Sequence, residues 1–234
     1  MVAKRSLILT RSEDEGRSWA QALERQGIDV RFLPVQTYAS LPPPKLKISA
    51  FQMILFTSRN AVEHFAKAYP EAVQRKISCA VVGQKTAVIA EEAGFKVELV
   101  ATQEKAEGLA RELVRKYPKN MKLLLPCSAI AREDLSDILG KAGFSVTVVP
   151  LYEPVVMEAP QDLKERLAEA TDILFFAPSQ ARTFLTWVTD PPAHLTYWAI
   201  GSTTLKEIPP ALNPHALPKP EVNDFIKRLK KAEG

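Results

Sequence analysis

The feature that most constrains this chain is that it repeats itself. The run SLILTRSEDEGRSWAQALERQGIDVRFLPVQTY (6–38) and the run KLLLPCSAIAREDLSDILGKAGFSVTVVPLYEP (122–154) share one order: apolar stretch, polar turn, amphipathic helix pattern, Gly, apolar stretch, Pro. Gly27 and Gly143, Pro34 and Pro150, and Thr10 and Pro126 all stand 116 residues apart. The likeness continues downstream, MILFTSRNAVEHF against ILFFAPSQARTFL and CAVVGQKTAVIAEEAGF against YWAIGSTTLKEI. There Gly83 and Gly201, and Thr86 and Thr204, stand 118 apart. Finally AEGLARELVRKY resembles EVNDFIKRLKKA. Self-similarity in constant register means one architecture used twice, by internal duplication.

Each half reads β-α-β, an extended connector, then β-α-β-α-β-α. Apolar runs such as LILT, MILF, AVV and LLLP lack the alternation of a half-exposed sheet. They suit parallel strands covered by helices on both faces, which predicts an α/β protein. Two units of this length fit a pair of flavodoxin-like domains, and 234 residues with 46% hydrophobic content suffice for two cores. The connectors ASLPPPKLKIS and EPVVMEAPQDL are Pro-rich and extended, and read as interdomain links. Two arrangements stay open at this level: each half folds on itself, or the halves exchange their β-α-β arms.

Several function classes lose support. The balance of 31 Lys and Arg against 27 Asp and Glu gives +4, too small and too evenly spread to argue for nucleic acid. An acidic small molecule stays open as a ligand. Cys79 and Cys127 sit in apolar, strand-like surroundings without CxxC spacing, as reduced structural thiols of a cytoplasmic protein do. No apolar run nears the ~20 residues of a membrane span, and Leu7–Leu9 is too short for a signal peptide. There is no GxGxxG after a strand and no Walker loop. His64, His194 and His215 have no partners at metal or triad spacing, so they read as surface or packing residues, and no metal site is expected.

What remains is the chemistry of the turns. In open α/β sheets ligands bind beyond the carboxyl ends of the strands, at helix N-termini. Those turns read TRSEDE, TSRNA, GQKTA, PCSAIAR, APSQAR and GSTTL. In the first, Glu13, Asp14 and Glu15 answer the helix dipole, with Arg11 ahead of them. The other five lack an acid in the opening positions and carry hydroxyls, amides and Arg59, Lys85, Arg132 or Arg182. In ILFTSRNAVEHF, Asn60 followed by Glu63 has capping-box spacing, so ordinary capping competes there with anion binding. Five such turns together favour a polyanion.

The ordered set LILTR, LPVQTY, ILFTSRNAV, VVGQKTA, LLLPCSAIARE, VVPLYEPV and AIGSTT resembles the uroporphyrinogen-III synthase family of tetrapyrrole biosynthesis, over nearly the whole chain. The resemblance implies a bilobed monomer with exchanged arms. Residues 1–38 with 155–234 would form one α/β lobe and 39–154 the other, joined by a two-stranded β-ladder. It implies a cofactor-free lyase that closes hydroxymethylbilane, a polycarboxylate, with loss of water and inversion of the last pyrrole ring. Matched residue by residue, Arg11, Thr57, Ser58, Thr86, Arg132, Ser179, Thr203 and Thr204 become substrate-binding candidates. Asn60 keeps its cap, and Tyr152 in VVPLY matches the suspected proton donor.

Two departures stand out. Ala177 occupies a place where the family often has a hydroxyl, leaving Ser179 as the substitute, and Pro209 and Pro210 cut the helix after GSTTLKEI. A non-catalytic bilobed binder of an acidic small molecule is the competing reading, since fold does not fix function.

Overall fold

A computed structural model describes residues 5–103, 105–131 and 134–231. The chain opens with β1 (Ser6–Leu9), α1 (Glu13–Glu24) and β2 (Asp29–Phe32), then β3 (Gln36–Ser40). Next come β4 (Met53–Phe56), α2 (Arg59–Ala68), α3 (Pro70–Gln74), β5 (Ser78–Val81), α4 (Gln84–Glu92), β6 (Lys96–Val100) and α5 (Ala106–Lys116). The second half runs β7 (Lys122–Ser128), α6 (Asp134–Lys141), β8 (Ser145–Val156), α7 (Leu163–Glu169), β9 (Asp172–Phe175) and α8 (Pro178–Trp187). It ends with β10 (Thr196–Ala199), α9 (Ser202–Leu205), β11 (His215–Ala216) and α10 (Val222–Lys231).

The chain divides into two compact units. One holds residues up to Thr37 and from Val155 onward, and the other holds Tyr38–Pro154. In the first, a five-stranded sheet has the order β11-β10-β9-β1-β2, with its pairings parallel. Strands from the chain start thus sit beside strands from its last third. In the second, the sheet order is β3-β8-β7-β4-β5-β6, and β4 through β8 pair in parallel. β3 differs: Leu41 N–H donates to Leu151 and Met157 N–H to Val35. The partner number falls as the chain number rises, so β3 and β8 run antiparallel.

The apolar runs bury both faces, as continuous hydrophobic strands require. Ile8 packs with Ile173, Phe175 and Tyr197 on one face of the first sheet. Its neighbours Leu7 and Leu9 pack with Leu174, Trp198 and Phe225 on the other. In the second unit Ile54 and Phe56 join one core, while Met53 and Leu55 join the opposite one. Two of the turns share one backbone form: Gly27 (φ 80°) and Gly143 (φ 96°) are both left-handed. Each lets the next amide reach back to the helix it ends, Ile28 N–H to Leu23 and Phe144 N–H to Leu139.

Two details depart from the sequence pattern, and a third follows it. α3 and α7 are additional short helices, Pro70 starting α3 at its first position. β8 runs twelve residues, to Val156, through a stretch that reads as connector. α9 lasts only four residues before the prolines impose a 3₁₀ turn at Pro210–Leu212. Among the described residues no helix is long and apolar enough to cross a membrane.

Candidate active site

In the second unit the carboxyl end of β4 delivers Thr57 and Ser58 straight into α2. Ser58 is extended (φ −157°, ψ 162°) and is the N-cap of α2. Its Oγ accepts the Ala61 amide at 3.2 Å. This corrects the expectation for Asn60: the helix begins at Arg59, so Asn60 lies inside the first turn, where its side chain is past the cap position. Glu63 does not close a capping box either, because Arg59 Nε donates to it at 2.6 Å.

Tyr152, on β8, reaches the same serine, its hydroxyl 3.1 Å from Ser58 Oγ. The tyrosine is 5% exposed. The His64 ring stacks on it with centroids 4.7 Å apart and planes 17° from parallel. Tyr38 packs edge-on at 5.5 Å and 86°. The His64 ring is held by a 2.9 Å hydrogen bond between Nδ1 and Ser40 Oγ. Burial pushes the Tyr152 phenol above its ordinary value; the Ser58 hydrogen bond works the other way, and Tyr38 and Cys127 add to the rise. The phenol is therefore protonated at neutral pH. Burial likewise lowers the His64 imidazole, opposed by Glu63 and helped by Lys67.

Thr57 is exposed beside this cluster, and Thr86 is half-buried in the first turn of α4, one strand away. α2 packs against α4, so both turns belong to one edge. In the first unit the corresponding edge carries Arg11, Ser179, Thr203 and Thr204. Arg11 lies 3.9 Å over the Phe176 ring, which ties the turn after β1 to the turn after β9. Ser179, in the first turn of α8, bonds Gln36 Oε1 at 2.9 Å. Thr203 is exposed where α9 begins, whereas Thr204 is only 2% exposed. A depression of about 570 Å³ opens there, lined by Gly201, Ser202, Thr203, Thr204, Pro218 and Arg228. A ligand in it meets Ser202 and Thr203 before Thr204. Arg132 lies outside the described residues.

Of the residues singled out in the sequence, the structure joins Ser58 and Tyr152 directly. It also adds two that sequence reasoning passed over, His64 and Tyr38. The available signal was positional: His64 flanks the buried stripe Ala61, Val62 and Phe65 of α2, and Tyr38 and Ser40 share one face of β3. Both thiols are buried, and burial pushes Cys79 up to about 12. Among the described residues no group of His, Cys, Asp or Glu could hold a metal ion.

Residues 17–219 match the family described as Uroporphyrinogen-III synthase HemD. The chain belongs to the uroporphyrinogen-III synthase family. The matched stretch includes Thr57, Ser58, Thr86, Tyr152, Ser179, Thr203 and Thr204, and leaves Arg11 outside. The chain is 28% identical to the chloroplastic uroporphyrinogen-III synthase of rice over 192 residues, covering 76% of this chain and 63% of that protein. It is 24% identical to the porphyrin biosynthesis protein HemD of Ruminiclostridium josui, covering 85% of this chain and 42% of that one. It thus spans less than two thirds of either relative. The crystal structure of uroporphyrinogen-III synthetase from Helicobacter pylori shares the fold of this family member, with TM-score 0.68 at 18% identity, over 97% of this chain and 99% of the other.

Proposed function

We propose that the chain is a uroporphyrinogen-III synthase: it closes hydroxymethylbilane, with loss of water and inversion of the terminal pyrrole ring, to uroporphyrinogen III. The observation that carries this reading is the buried phenol of Tyr152 bound to Ser58 Oγ at the carboxyl edge of a parallel sheet. Loss of hydroxide is unfavourable without a proton. Tyr152 supplies it to the hydroxymethyl oxygen, directly or through Ser58. As the C–O bond breaks, the pyrrole nitrogen lone pair forms a cationic azafulvene, and the carboxylates of the bilane stabilise it. Ring closure ends with release of a proton, which returns to the tyrosinate. The atoms balance with water as the sole by-product, so the step calls for no oxidant and no cofactor.

Each pyrrole of the bilane carries two carboxylates. In this reading Arg11, Thr57, Ser58, Thr86, Ser179, Thr203 and Thr204 bind carboxylates alongside helix N-terminal amides, and Arg132 adds charge. The two units derive from a duplication whose β-α-β arms have changed places, and the antiparallel β3 and β8 form the linker. The enzyme acts as a cytoplasmic monomer without nucleic acid or membrane partners. The test is to supply hydroxymethylbilane and resolve the product isomers by chromatography. Spontaneous closure gives the symmetric isomer I. Isomer III is expected from the purified protein, and isomer I alone would overturn the assignment.

A further inference from the structure

One helix meets the Tyr152 phenol twice. α2 offers its N-cap Ser58 as the hydroxyl partner at 3.1 Å, and nearly two turns on it offers the face of His64 at 4.7 Å. β3 adds Tyr38, its ring perpendicular to the phenol at 5.5 Å, and, two residues on, Ser40. This serine bonds His64 Nδ1 at 2.9 Å and so fixes the plane of the imidazole. A histidine that merely fills space has no need of a hydroxyl that sets its ring plane. The stack is also nearly parallel, at 17°, so the imidazole plane constrains rotation of the phenol about its own axis.

We propose that His64 is a positioning residue for the proton donor Tyr152, its ring, oriented by Ser40, holding the phenol in the one orientation that aims the O–H at Ser58. The inference rests on the reading of Tyr152 as the acid of a uroporphyrinogen-III synthase. His64 itself touches no reacting atom. It acts by covering one face of the phenol, which keeps water off and preserves the proton. Misorientation of a catalytic group lowers turnover without weakening carboxylate contacts elsewhere, so the effect falls on kcat rather than KM.

The test compares His64→Leu with His64→Phe. Leu fills space and does not stack, whereas Phe stacks without titrating. Steady-state kinetics on hydroxymethylbilane give kcat and KM. Phenolate absorbance of the ligand-free protein, with the Tyr152→Phe protein subtracted, gives the ionisation midpoint of Tyr152. His64→Leu is expected to lower kcat about three- to tenfold, the worth of one aromatic pair, with KM unchanged and the Tyr152 midpoint displaced. His64→Phe should restore both. A Leu variant with normal kcat and midpoint overturns the proposal, as does a Phe variant that is no better than Leu. Should the Leu variant fail to fold, the Phe variant decides alone: retained kcat and midpoint support the inference, and their loss refutes it. Failure of the acid reading is seen separately, as retention of more than about a tenth of the rate by Tyr152→Phe, which removes the donor that His64 is said to position.

Discussion

Ser58 Oγ lies 3.1 Å from the Tyr152 hydroxyl and 3.2 Å from the Ala61 amide nitrogen. One oxygen thus starts a helix and meets a buried phenol. Because it accepts the amide through a lone pair, its own hydrogen stays available, and it can pass on a proton that Tyr152 gives it. The cap and the proposed relay share this atom, so stability and turnover are the two readouts that tell them apart.

For Ser58→Ala, loss of the N-cap should destabilise the protein by about 1 kcal/mol. Activity should fall less than about tenfold, the worth of a neutral hydrogen bond, if carboxylate binding is shared among backbone amides. Denaturation and steady-state rates measured on the same preparation check both. Complete inactivation of the folded variant would contradict shared recognition and make Ser58 an obligatory relay.

Acid should weaken the second unit through His64. Burial holds its folded value below that of the unfolded chain, so the unfolded state binds the extra proton first. Stability is fully present above the unfolded value, near pH 6.5, and declines as pH falls from there toward the lowered folded value. Glu63 and Lys67 on the same helix act in opposite directions. The groups packed on the ring from other elements, Tyr152 and Ser40, are neutral in this range. Melting temperature against pH should fall more steeply for the wild type than for His64→Phe. Parallel curves would contradict this.

Asp172 anchors the first unit. It is fully buried and accepts Arg5 Nε at 2.7 Å, Trp198 Nε1 at 2.8 Å and Thr171 Oγ1 at 2.6 Å. Asp172→Ala strands these donors and should cost roughly 3–5 kcal/mol, read as a lowered denaturant midpoint. A loss under about 1 kcal/mol would mean that water replaces the carboxylate.

A glycine pair tests the backbone alone. A Cβ at Gly27 would meet nothing within 4 Å, yet its φ is +80°. Gly27→Ala should therefore destabilise by about 1–2 kcal/mol from conformation only. Gly140 sits in α6, also in open space, and Gly140→Ala should stabilise by about 0.5–1 kcal/mol. Thermal unfolding of the two variants should move in opposite directions.

Much of the fold was legible in the sequence because the physics was local and repeated. Runs such as MILF bury all four residues, and Gly27 and Gly143 close equivalent turns. Less legible was pairing between distant segments: which sheet takes the β1-α1-β2 arm depends on connectors that carry little pattern. The site divides in the same way. Thr57 and Ser58 were readable from strand-end chemistry, but the cap fell to Ser58 because the chain turns helical at Arg59, two residues earlier than the Asn60 pattern suggests. His64 and Tyr38 escaped because ring packing on Tyr152 joins residues far apart in sequence, and no spacing rule encodes it.

The most direct test of the account is the turnover of Tyr152→Phe on hydroxymethylbilane, with Tyr38→Phe as control. The change removes one oxygen and leaves the ring stacked on His64 and perpendicular to Tyr38, so folding and carboxylate binding should persist. General acid catalysis contributes ~10² to 10⁴-fold. The account predicts a loss of at least about a hundredfold in kcat with KM nearly unchanged, and little effect from Tyr38→Phe. Retention of more than about a tenth of the wild-type rate, well short of that range, would contradict it and move the proton to ordered water or a substrate carboxylate.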